Sequence, residues 1–288
     1  MTSSTTQPRT SLREILKGQN TIIASSVFDA VSARLAQHIG STVGVLGGSV
    51  ASQVVLGAPD IVLLTATELV EQTRRICRTG CVDLMVDADH GYGNALNVAR
   101  TITELQAAGA AAVCVEDSVL PREFGSGQQQ GLVSIEEGSK KLRAALLARG
   151  DGSMLILART NAAGTVGVDE AVKRLSTYQE IGVDALFAPY LKSREELDAI
   201  AKVARLPIIV AGASAELFDL DYLSSRGVKI WVWGHQPYAL ALRTLHDAMH
   251  ALHHGKRPDQ LGISAVADLL NVAMDTEHYE QLAREFLK

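Results

Sequence analysis

The sequence predicts an α/β protein built as a (β/α)8 TIM barrel. Short apolar runs recur along the chain, and we predict strands at residues 21–25, 43–46, 84–87, 112–116, 155–159, 185–188, 208–211 and 230–233. Each run is apolar throughout rather than alternating, which is typical of parallel strands buried on both faces. Amphipathic helical patterns separate the runs. Eight such βα units in series favour a closed barrel over an open doubly wound sheet.

Helices are predicted between the strands, in order, at residues 94–108, 135–148, 168–181, 194–203 and 238–253. A left-handed glycine closes a helix at little cost, and glycines mark expected helix ends at Gly40, Gly109, Gly150, Gly182 and Gly227. Residues 254–258 break the pattern, and residues 263–287 offer one or two further helices. At the other end of the chain, we expect a flexible tail over residues 1–10. One barrel domain is expected over residues 11–288, including C-terminal helices from about residue 256 that subunits could exchange.

The composition narrows the class of protein. With 288 residues, 47% of them hydrophobic and 20% charged, the chain has ample material for a core. The net charge of −5 indicates neither nucleic acid nor an anionic membrane surface as a partner. No apolar run approaches the ~20 residues of a membrane helix. The cysteines Cys77, Cys81 and Cys114 match no zinc or disulfide spacing, so we expect reduced thiols in a cytoplasmic protein.

Polar residues and glycines accumulate directly after the predicted strands, at the end where a barrel places its active site. In chain order they are Gly47, Gly48, Ser49, Asp87, Asp89, Glu116, Asp117, Arg159, Asn161, Gly234 and His235. The bodies of the same strands are apolar. This distribution predicts a single site at the carboxyl ends of the strands.

Asp87 and Asp89 are candidate metal ligands. Two carboxylates this close in sequence repel each other unless a cation lies between them. Hard divalent cations such as Mg²⁺ prefer carboxylate oxygens, some of them bound through water. Together with Glu116 they could therefore hold Mg²⁺. The alternative for the two aspartates is that they cap the helix that follows.

Arg159 and His235 are candidate catalytic and substrate-binding residues. The planar guanidinium of Arg159 suits a substrate carboxylate, and its alternative role is a salt bridge to Glu116 or Asp87. His235 follows Gly234 at a strand end and could donate to a substrate carboxylate or manage a proton. A purely structural histidine is the alternative.

The glycines after the second strand form a third candidate element of the site. Gly47 and Gly48 would let the backbone approach a ligand closely, although a tight turn would also explain them. The N–H and hydroxyl of Ser49 could bind a carboxylate or enolate oxygen.

Two further segments carry weaker signals. The loop over residues 120–131 follows the fourth strand and is polar, which is typical of a lid. His246, His250, His253 and His254 share one helix face but lie far from the strand ends. We therefore interpret that stripe as a solvent-facing or interface surface rather than a metal site.

The motifs at the strand ends also have a recognisable order. They are Gly-Gly-Ser at 47–49, Asp-Ala-Asp-His-Gly-Tyr-Gly-Asn at 87–94, Val-Glu-Asp-Ser at 115–118, Ala-Arg-Thr-Asn at 158–161 and Gly-His at 234–235. This set resembles the phosphoenolpyruvate mutase/isocitrate lyase superfamily, as does Ser-Val-Phe-Asp-Ala-Val-Ser-Ala-Arg at 26–34. The resemblance is greatest to its oxaloacetate decarboxylase branch.

The resemblance implies a Mg²⁺-dependent barrel, with Mn²⁺ as a substitute, that acts on a small α-oxo carboxylate through a metal-stabilised enolate. It implies Asp87 as the direct metal ligand, with Asp89 and Glu116 holding metal-bound waters. Substrate-binding roles would fall to Ser49, Arg159 and His235, beside Gly47 and Gly48. The resemblance also implies a homo-oligomer, a dimer of dimers in which a C-terminal helix is exchanged.

Residues that are missing from the motifs narrow the choice of reaction. The superfamily's lyases carry a Lys-Lys-Cys-Gly-His motif in the loop after strand 4, whereas residues 120–131 hold no lysine, cysteine or histidine. The phosphonate-acting branches place a lysine after Glu-Asp, where this chain has Ser118. The decarboxylase branch has a tyrosine and an asparagine where this chain has Gly212 and Trp233.

The favoured hypothesis is a carbon–carbon lyase that decarboxylates a β-carboxy-α-oxo acid, with oxaloacetate to pyruvate and CO₂ as the leading case. Because Gly212 and Trp233 reshape the pocket, one alternative is a lyase or hydrolase of a related substituted malate or oxo acid. A second alternative, from another class, is a non-catalytic carboxylate-binding protein on the same scaffold.

Overall fold

A computed structural model describes residues 11–122, 131–262 and 266–287. Eight parallel strands form a closed barrel in sequence order, and β8 pairs with β1 to complete the ring. The strands are β1 Ile22–Ser26, β2 Val43–Leu46, β3 Asp83–Asp87, β4 Ala112–Glu116, β5 Leu155–Arg159, β6 Ala185–Pro189, β7 Ile208–Ala211 and β8 Val228–Val232. The predicted (β/α)8 fold is therefore confirmed. The predicted tail over residues 1–10 lies outside the described residues.

Helices surround the barrel and extend beyond it. They are α1 Leu12–Lys17, α2 Ala30–His38, α3 Gly48–Leu56, α4 Ala66–Cys77, α5 Ala95–Ala108, α6 Ile135–Arg149, α7 Ala162–Thr165, α8 Val168–Gln179, α9 Arg194–Val203, α10 Leu220–Ser225, α11 Gln236–His253, α12 Ala267–Met274 and α13 Thr276–Phe286. Short 3₁₀ turns lie at Ala215–Leu217 and Pro258–Leu261. No helix of the described residues is both long enough and apolar enough to cross a membrane.

The eighth strand differs most from its predicted bounds. It begins at Val228, because Val228 pairs with Ile208 of β7 across a register irregularity. The sequence pattern missed this start because Lys229 interrupts the apolar run. The strand ends at Val232, so that Trp233 leaves the barrel wall and Gly234 turns the chain with φ +132°.

The apolar core has two parts, inside and outside the barrel wall. The inner part includes Met85, Cys114 and Phe187, and α1 closes its lower end with Leu12 and Leu16. The outer part lies between the strands and the helix layer. Side chains fill the barrel interior, so ligand access is confined to the carboxyl ends of the strands.

Candidate active site

A cavity of about 250 Å³ opens at the carboxyl ends of the strands. It is smaller than the ~300–1,000 Å³ that is usual for drug-sized ligands, which fits a substrate of few atoms. Of the strand-end residues that the sequence predicted for one site, all except Asp117 line this cavity: Gly47, Gly48, Ser49, Asp87, Asp89, Glu116, Arg159, Asn161, Gly234 and His235. Met85, Cys114 and Phe187 of the inner core also line it.

Asp87 and Asp89 are held in the pocket by the turn after β3. Asp87 is the last residue of that strand, and Asp89 takes a left-handed conformation with φ +47°. The Asp89 N–H donates to Asp87 Oδ1 at 3.3 Å, and the Asp89 carbonyl accepts from the Glu116 N–H at 2.8 Å. Asn94 caps α5 with its own side chain. The alternative that the aspartates cap this helix is therefore wrong.

Arg159 joins the carboxylates of two strands. Its guanidinium forms an ion pair with Asp87, and its Nη2 lies 3.0 Å from Glu116 Oε2. Its Nε donates to Asn161 Oδ1 at 3.0 Å, while Asn161 Nδ2 donates to Glu116 Oε2 at 2.9 Å. Burial alone would lower the pKa of Arg159, but the charges of Asp87 and Glu116 outweigh it and raise that pKa. The salt-bridge role is thus present, and the guanidinium remains charged.

The pocket carries an excess of acidic side chains. Four carboxylates line it, namely Asp60, Asp87, Asp89 and Glu116, against the two guanidinium groups of Arg122 and Arg159. Burial, followed by the charges of Asp87, Glu116 and Asp60, raises the pKa of Asp89. Such a cluster favours a bound cation.

The donor set suits Mg²⁺ more than a metal bound wholly by protein. Among the described residues, no three His, Cys, Asp or Glu side chains already form a closed ligand set. Mg²⁺ usually keeps several waters and binds one or two carboxylates directly. Carboxylates that converge on a pocket without forming a closed ligand set fit that mode of binding.

Glycine is required at positions 47 and 48 because a side chain would not fit there, and not because the backbone makes a tight turn. A Cβ on Gly47 would lie 2.2 Å from His235 Nε2, and one on Gly48 would lie 2.8 Å from Asp89 Oδ1. Gly47 has φ −85°, which any residue can adopt. The tight-turn alternative is therefore wrong. Ser49 lies in the first turn of α3, where backbone N–H groups lack intrahelical partners and can bind an anionic oxygen.

His235 is oriented by Ser26. Its Nδ1 lies 2.6 Å from the Ser26 hydroxyl, which directs Nε2 toward Gly47 and the pocket. Burial lowers the pKa of His235, so the imidazole is neutral near pH 7. When the Ser26 hydroxyl donates to Nδ1, the ring proton lies on Nε2 and can be donated to a ligand.

The sequence did not identify Ser26, which contacts the pocket residue His235, or the pocket-lining residues Asp60 and Tyr190. Ser26 ends β1, so the strand-end rule could have identified it. Asp60 lies on the loop after α3 and Tyr190 follows β6 beside an apolar run, so neither carried a signal of that kind. Asp117, in contrast, follows β4 but does not line the cavity.

Asp117 belongs to a buried network behind the site. Arg174 Nη1 and the Tyr178 hydroxyl both donate to Asp117 Oδ2 at 2.8 Å. Arg174 also donates to the Val133 carbonyl at 2.8 Å, and the Val133 N–H donates to the Asp117 carbonyl. The network therefore joins β4, α8 and the chain that leads into α6. Residues 123–130 of the predicted lid lie outside the described residues.

The histidine stripe is separate from the site. Four exposed histidines lie along α11 and at its C-terminal cap, namely His246, His250, His253 and His254. The ring centroids of His250 and His254 are 4.1 Å apart, and those of His253 and His254 are 5.3 Å apart. Within residues 11–122, 131–262 and 266–287 no metal-ligating trio includes them. This agrees with a solvent-facing or interface surface.

The fold and site together define a (β/α)8-barrel enzyme with an acidic pocket at the carboxyl ends of its strands. The chain matches the phosphoenolpyruvate phosphomutase family over residues 12–253 and belongs to that family.

Curated relatives extend the match over nearly the whole chain. An oxaloacetate decarboxylase of Paraburkholderia xenovorans (strain LB400) is 46% identical over 98% of this chain and 94% of its own. An oxaloacetate decarboxylase of Rhodopseudomonas palustris (strain BisA53) is 49% identical over 91% of this chain and 90% of its own. The structure of a phosphonopyruvate hydrolase in complex with oxalate and Mg²⁺ has a TM-score of 0.83 at 26% identity, covering 96% and 98% of the chains.

Proposed function

We propose that this chain is a Mg²⁺-dependent carbon–carbon lyase that converts oxaloacetate to pyruvate and CO₂. The observation that carries the proposal is the convergence of Asp87, Asp89, Glu116, Arg159 and His235 on one small cavity. The decarboxylases that are 46% and 49% identical over most of the chain support the choice of reaction.

The carboxylates would hold the metal. Asp87 would bind it directly, and Asp89 and Glu116 would bind its waters, because the pocket is acidic but its described carboxylates form no closed ligand set. Asp60 extends this acidic set from the loop after α3. When bound, Mg²⁺ or its substitute Mn²⁺ would supply Lewis-acid polarisation of the substrate carbonyl.

The remaining residues would bind and orient the substrate. Arg159 would place its planar guanidinium beside the C1 carboxylate of the substrate while keeping Asp87 and Glu116 in position. The N–H and hydroxyl of Ser49, at the start of α3, would donate to the oxygen that becomes negative as CO₂ departs. His235, held by Ser26, would donate from Nε2, and Gly47 leaves the space that this contact needs.

Decarboxylation by the purified protein tests the proposal. Pyruvate formation from oxaloacetate should exceed the rate with Mg²⁺ alone by many orders of magnitude, and EDTA should abolish the excess. Asp87→Asn is the matched variant, because it keeps the shape of the side chain but removes its charge. A wild-type rate equal to that of Mg²⁺ alone would disprove the assignment to oxaloacetate.

One observation favours a second candidate function. Gly212 and Trp233 line the cavity on the side of β7 and β8. The missing side chain at Gly212 and the indole of Trp233 alter its shape relative to the pattern expected for decarboxylases. A lyase or hydrolase of a substituted malate or oxo acid would fit the same machinery. A substrate panel scored for retro-aldol and hydrolysis products separates this candidate from decarboxylation. Binding of oxalate with Mg²⁺ but no turnover of any substrate would instead indicate a carboxylate-binding protein.

The assembly we propose is a homo-oligomer, a dimer of dimers built from single-domain subunits over residues 11–288. The α11 helix buries none of its residues, although it carries Leu240, Leu245 and Met249. A face of this kind favours a protein partner. We also propose a cytoplasmic location, because Cys77, Cys81 and Cys114 are free thiols.

A further inference from the structure

The two sides of the pocket differ in chemistry. In a closed ring of eight strands in sequence order, β3 and β4 lie across from β7 and β8. The acidic residues follow β3 and β4. The opposite side is aromatic, with Tyr190 after β6 and Trp233 after β8 lining the cavity. Phe218 supports Trp233 from behind, with ring centroids 4.5 Å apart.

Tyr190 is held in a conformation that bulky residues rarely adopt. It follows Pro189 at the end of β6 and has φ +64°. Its N–H donates to the Ala211 carbonyl at 2.9 Å, which fixes the turn against β7. A left-handed backbone costs a non-glycine residue of this size free energy, and such residues concentrate at functional sites.

Two glycines form a slot for the Tyr190 ring. A Cβ on Gly212 would lie 3.1 Å from Tyr190 Cε1, and a Cβ on Gly164 would lie 2.9 Å from Tyr190 Cβ and 3.2 Å from its Cδ2. Neither glycine could therefore carry a side chain without displacing Tyr190. The same Gly212 that removes a side chain from the end of β7 makes room for an aromatic ring from β6.

The ring remains available to a ligand. Tyr190 is 47% exposed and Trp233 is 41% exposed, although both line the cavity. Among the described residues nothing hydrogen-bonds to the Tyr190 hydroxyl. A large aromatic surface left open on the side of a small pocket opposite its acidic residues is suited to contact an apolar part of a substrate.

We propose that Tyr190 is a specificity-determining residue whose ring, together with Trp233, contacts an apolar group on C3 of a 2-oxo acid substrate. This inference rests on the proposed function, because the acidic side and Arg159 would fix the C1 carboxylate and the 2-oxo group. C3 and its substituent then face the aromatic side. The substrate class is a 2-oxo diacid with an alkyl group on C3.

Binding of a graded ligand series tests the inference without turnover. Calorimetry with saturating Mg²⁺ would compare oxalate, which has no C3, with 2-oxobutanoate and 2-oxopentanoate. For the wild-type protein we expect affinity to rise about tenfold from 2-oxobutanoate to 2-oxopentanoate, as for one methylene in an apolar pocket. In Tyr190→Ala that gain should fall below about threefold, while the affinity for oxalate should change less than about twofold.

Two further variants separate the ring from other effects. Tyr190→Phe should keep the wild-type gain, because the ring and not the hydroxyl makes the contact. Leu147→Ala, on the exposed face of α6, is the matched truncation elsewhere and should leave all three affinities unchanged.

Several outcomes would overturn the inference. These are a flat wild-type series, an equal loss in Tyr190→Phe and Tyr190→Ala, and a loss of oxalate affinity in Tyr190→Ala as large as that for 2-oxopentanoate. Oxaloacetate turnover is measured separately, so a protein that fails to decarboxylate but retains the graded series would contradict the proposed function and not this one.

Discussion

At the scale of single residues, the hydrogen bond between Ser26 and His235 sets the direction of the imidazole. Ser26→Ala removes the partner of Nδ1 and leaves the ring free to rotate away from Gly47. We expect kcat/KM for oxaloacetate to fall about tenfold, the effect of one hydrogen bond. Steady-state kinetics would measure the loss, and ¹⁵N NMR of the imidazole would report the change of tautomer. Ser26→Thr, which keeps the hydroxyl, should restore both readouts, and its failure to do so would contradict the positioning role.

We expect the buried carboxylate of Asp89 to strengthen metal binding but to lower the stability of the metal-free protein. Its pKa in the folded, metal-free protein is raised above the ordinary 3.8 by burial and neighbouring charges. At pH values between 3.8 and the raised pKa, the folded state binds more protons at Asp89 than the unfolded state does. The stability contributed by this group therefore falls as the pH rises from 3.8 through the raised pKa. In EDTA, Asp89→Asn should therefore unfold at a higher temperature than wild type at pH 8.

The advantage of Asp89→Asn should shrink as the pH falls and vanish below the ordinary pKa of 3.8, where both states of the wild type carry the proton. Its affinity for Mg²⁺ should meanwhile fall about 10–100-fold. Thermal melts over this pH range, with and without Mg²⁺, provide the comparison. A variant that is less stable than wild type at pH 8 in EDTA would show that Asp89 stabilises the empty fold.

The sequence predicted the site residues that lie at the ends of the strands. It missed site residues that reach the pocket from loops. Because parallel strands end on one face of a barrel, Asp87, Glu116 and Arg159 could be placed in one site from their positions alone. Asp60 reaches the same pocket through the fold of a loop. Tyr190 reaches it because Gly164 and Gly212 leave space, and no local pattern encodes that combination.

At the scale of elements, the network of Asp117, Arg174 and Tyr178 holds α8 against the end of β4. Arg174→Leu would leave the carboxylate of Asp117, which is 2% exposed, without its charged partner. Breaking such a buried pair costs about 3–5 kcal/mol of unfolding free energy. Urea unfolding followed by circular dichroism would measure it.

The exposed ion pair of Arg205 and Glu180 provides the control for that measurement. Arg205→Leu should cost no more than ~1 kcal/mol, since exposed pairs contribute little. Equal losses in the two variants would mean that Arg174 is not part of a stabilising network.

Element boundaries were predicted best where the sequence signal and the packing agree. β2, β4, β5, β7 and α9 have the bounds expected from their patterns. β8 does not, because Lys229 occupies a strand position with its Nζ directed to the Gln19 carbonyl at the lower end of the barrel. A long side chain that extends out of the barrel can occupy a strand that a purely apolar criterion excludes.

At the scale of the whole molecule, α11 is the largest helix whose apolar residues are left uncovered. Leu245 is 56% exposed and Met249 is 61% exposed. If this face is a subunit interface, Leu245→Glu together with Met249→Glu should dissociate the oligomer, because burying two carboxylates there is costly. Light scattering after gel filtration would give the mass.

Leu147→Glu, on the exposed face of α6, should leave the mass unchanged. A wild-type protein that is already monomeric at micromolar concentration would contradict the proposed assembly.

The slot around Tyr190 also restricts the order in which this pocket can evolve. Any side chain added at position 212 meets the Tyr190 ring within 3.2 Å, on a backbone whose φ of +56° already disfavours it. We therefore expect the tyrosine of the decarboxylase pattern to be tolerated at position 212 only when residue 190 is small. The two positions are then expected to show epistasis, with Tyr190→Ala preceding Gly212→Tyr on the accessible mutational path. Reconstructed ancestors should never carry large aromatic residues at both positions.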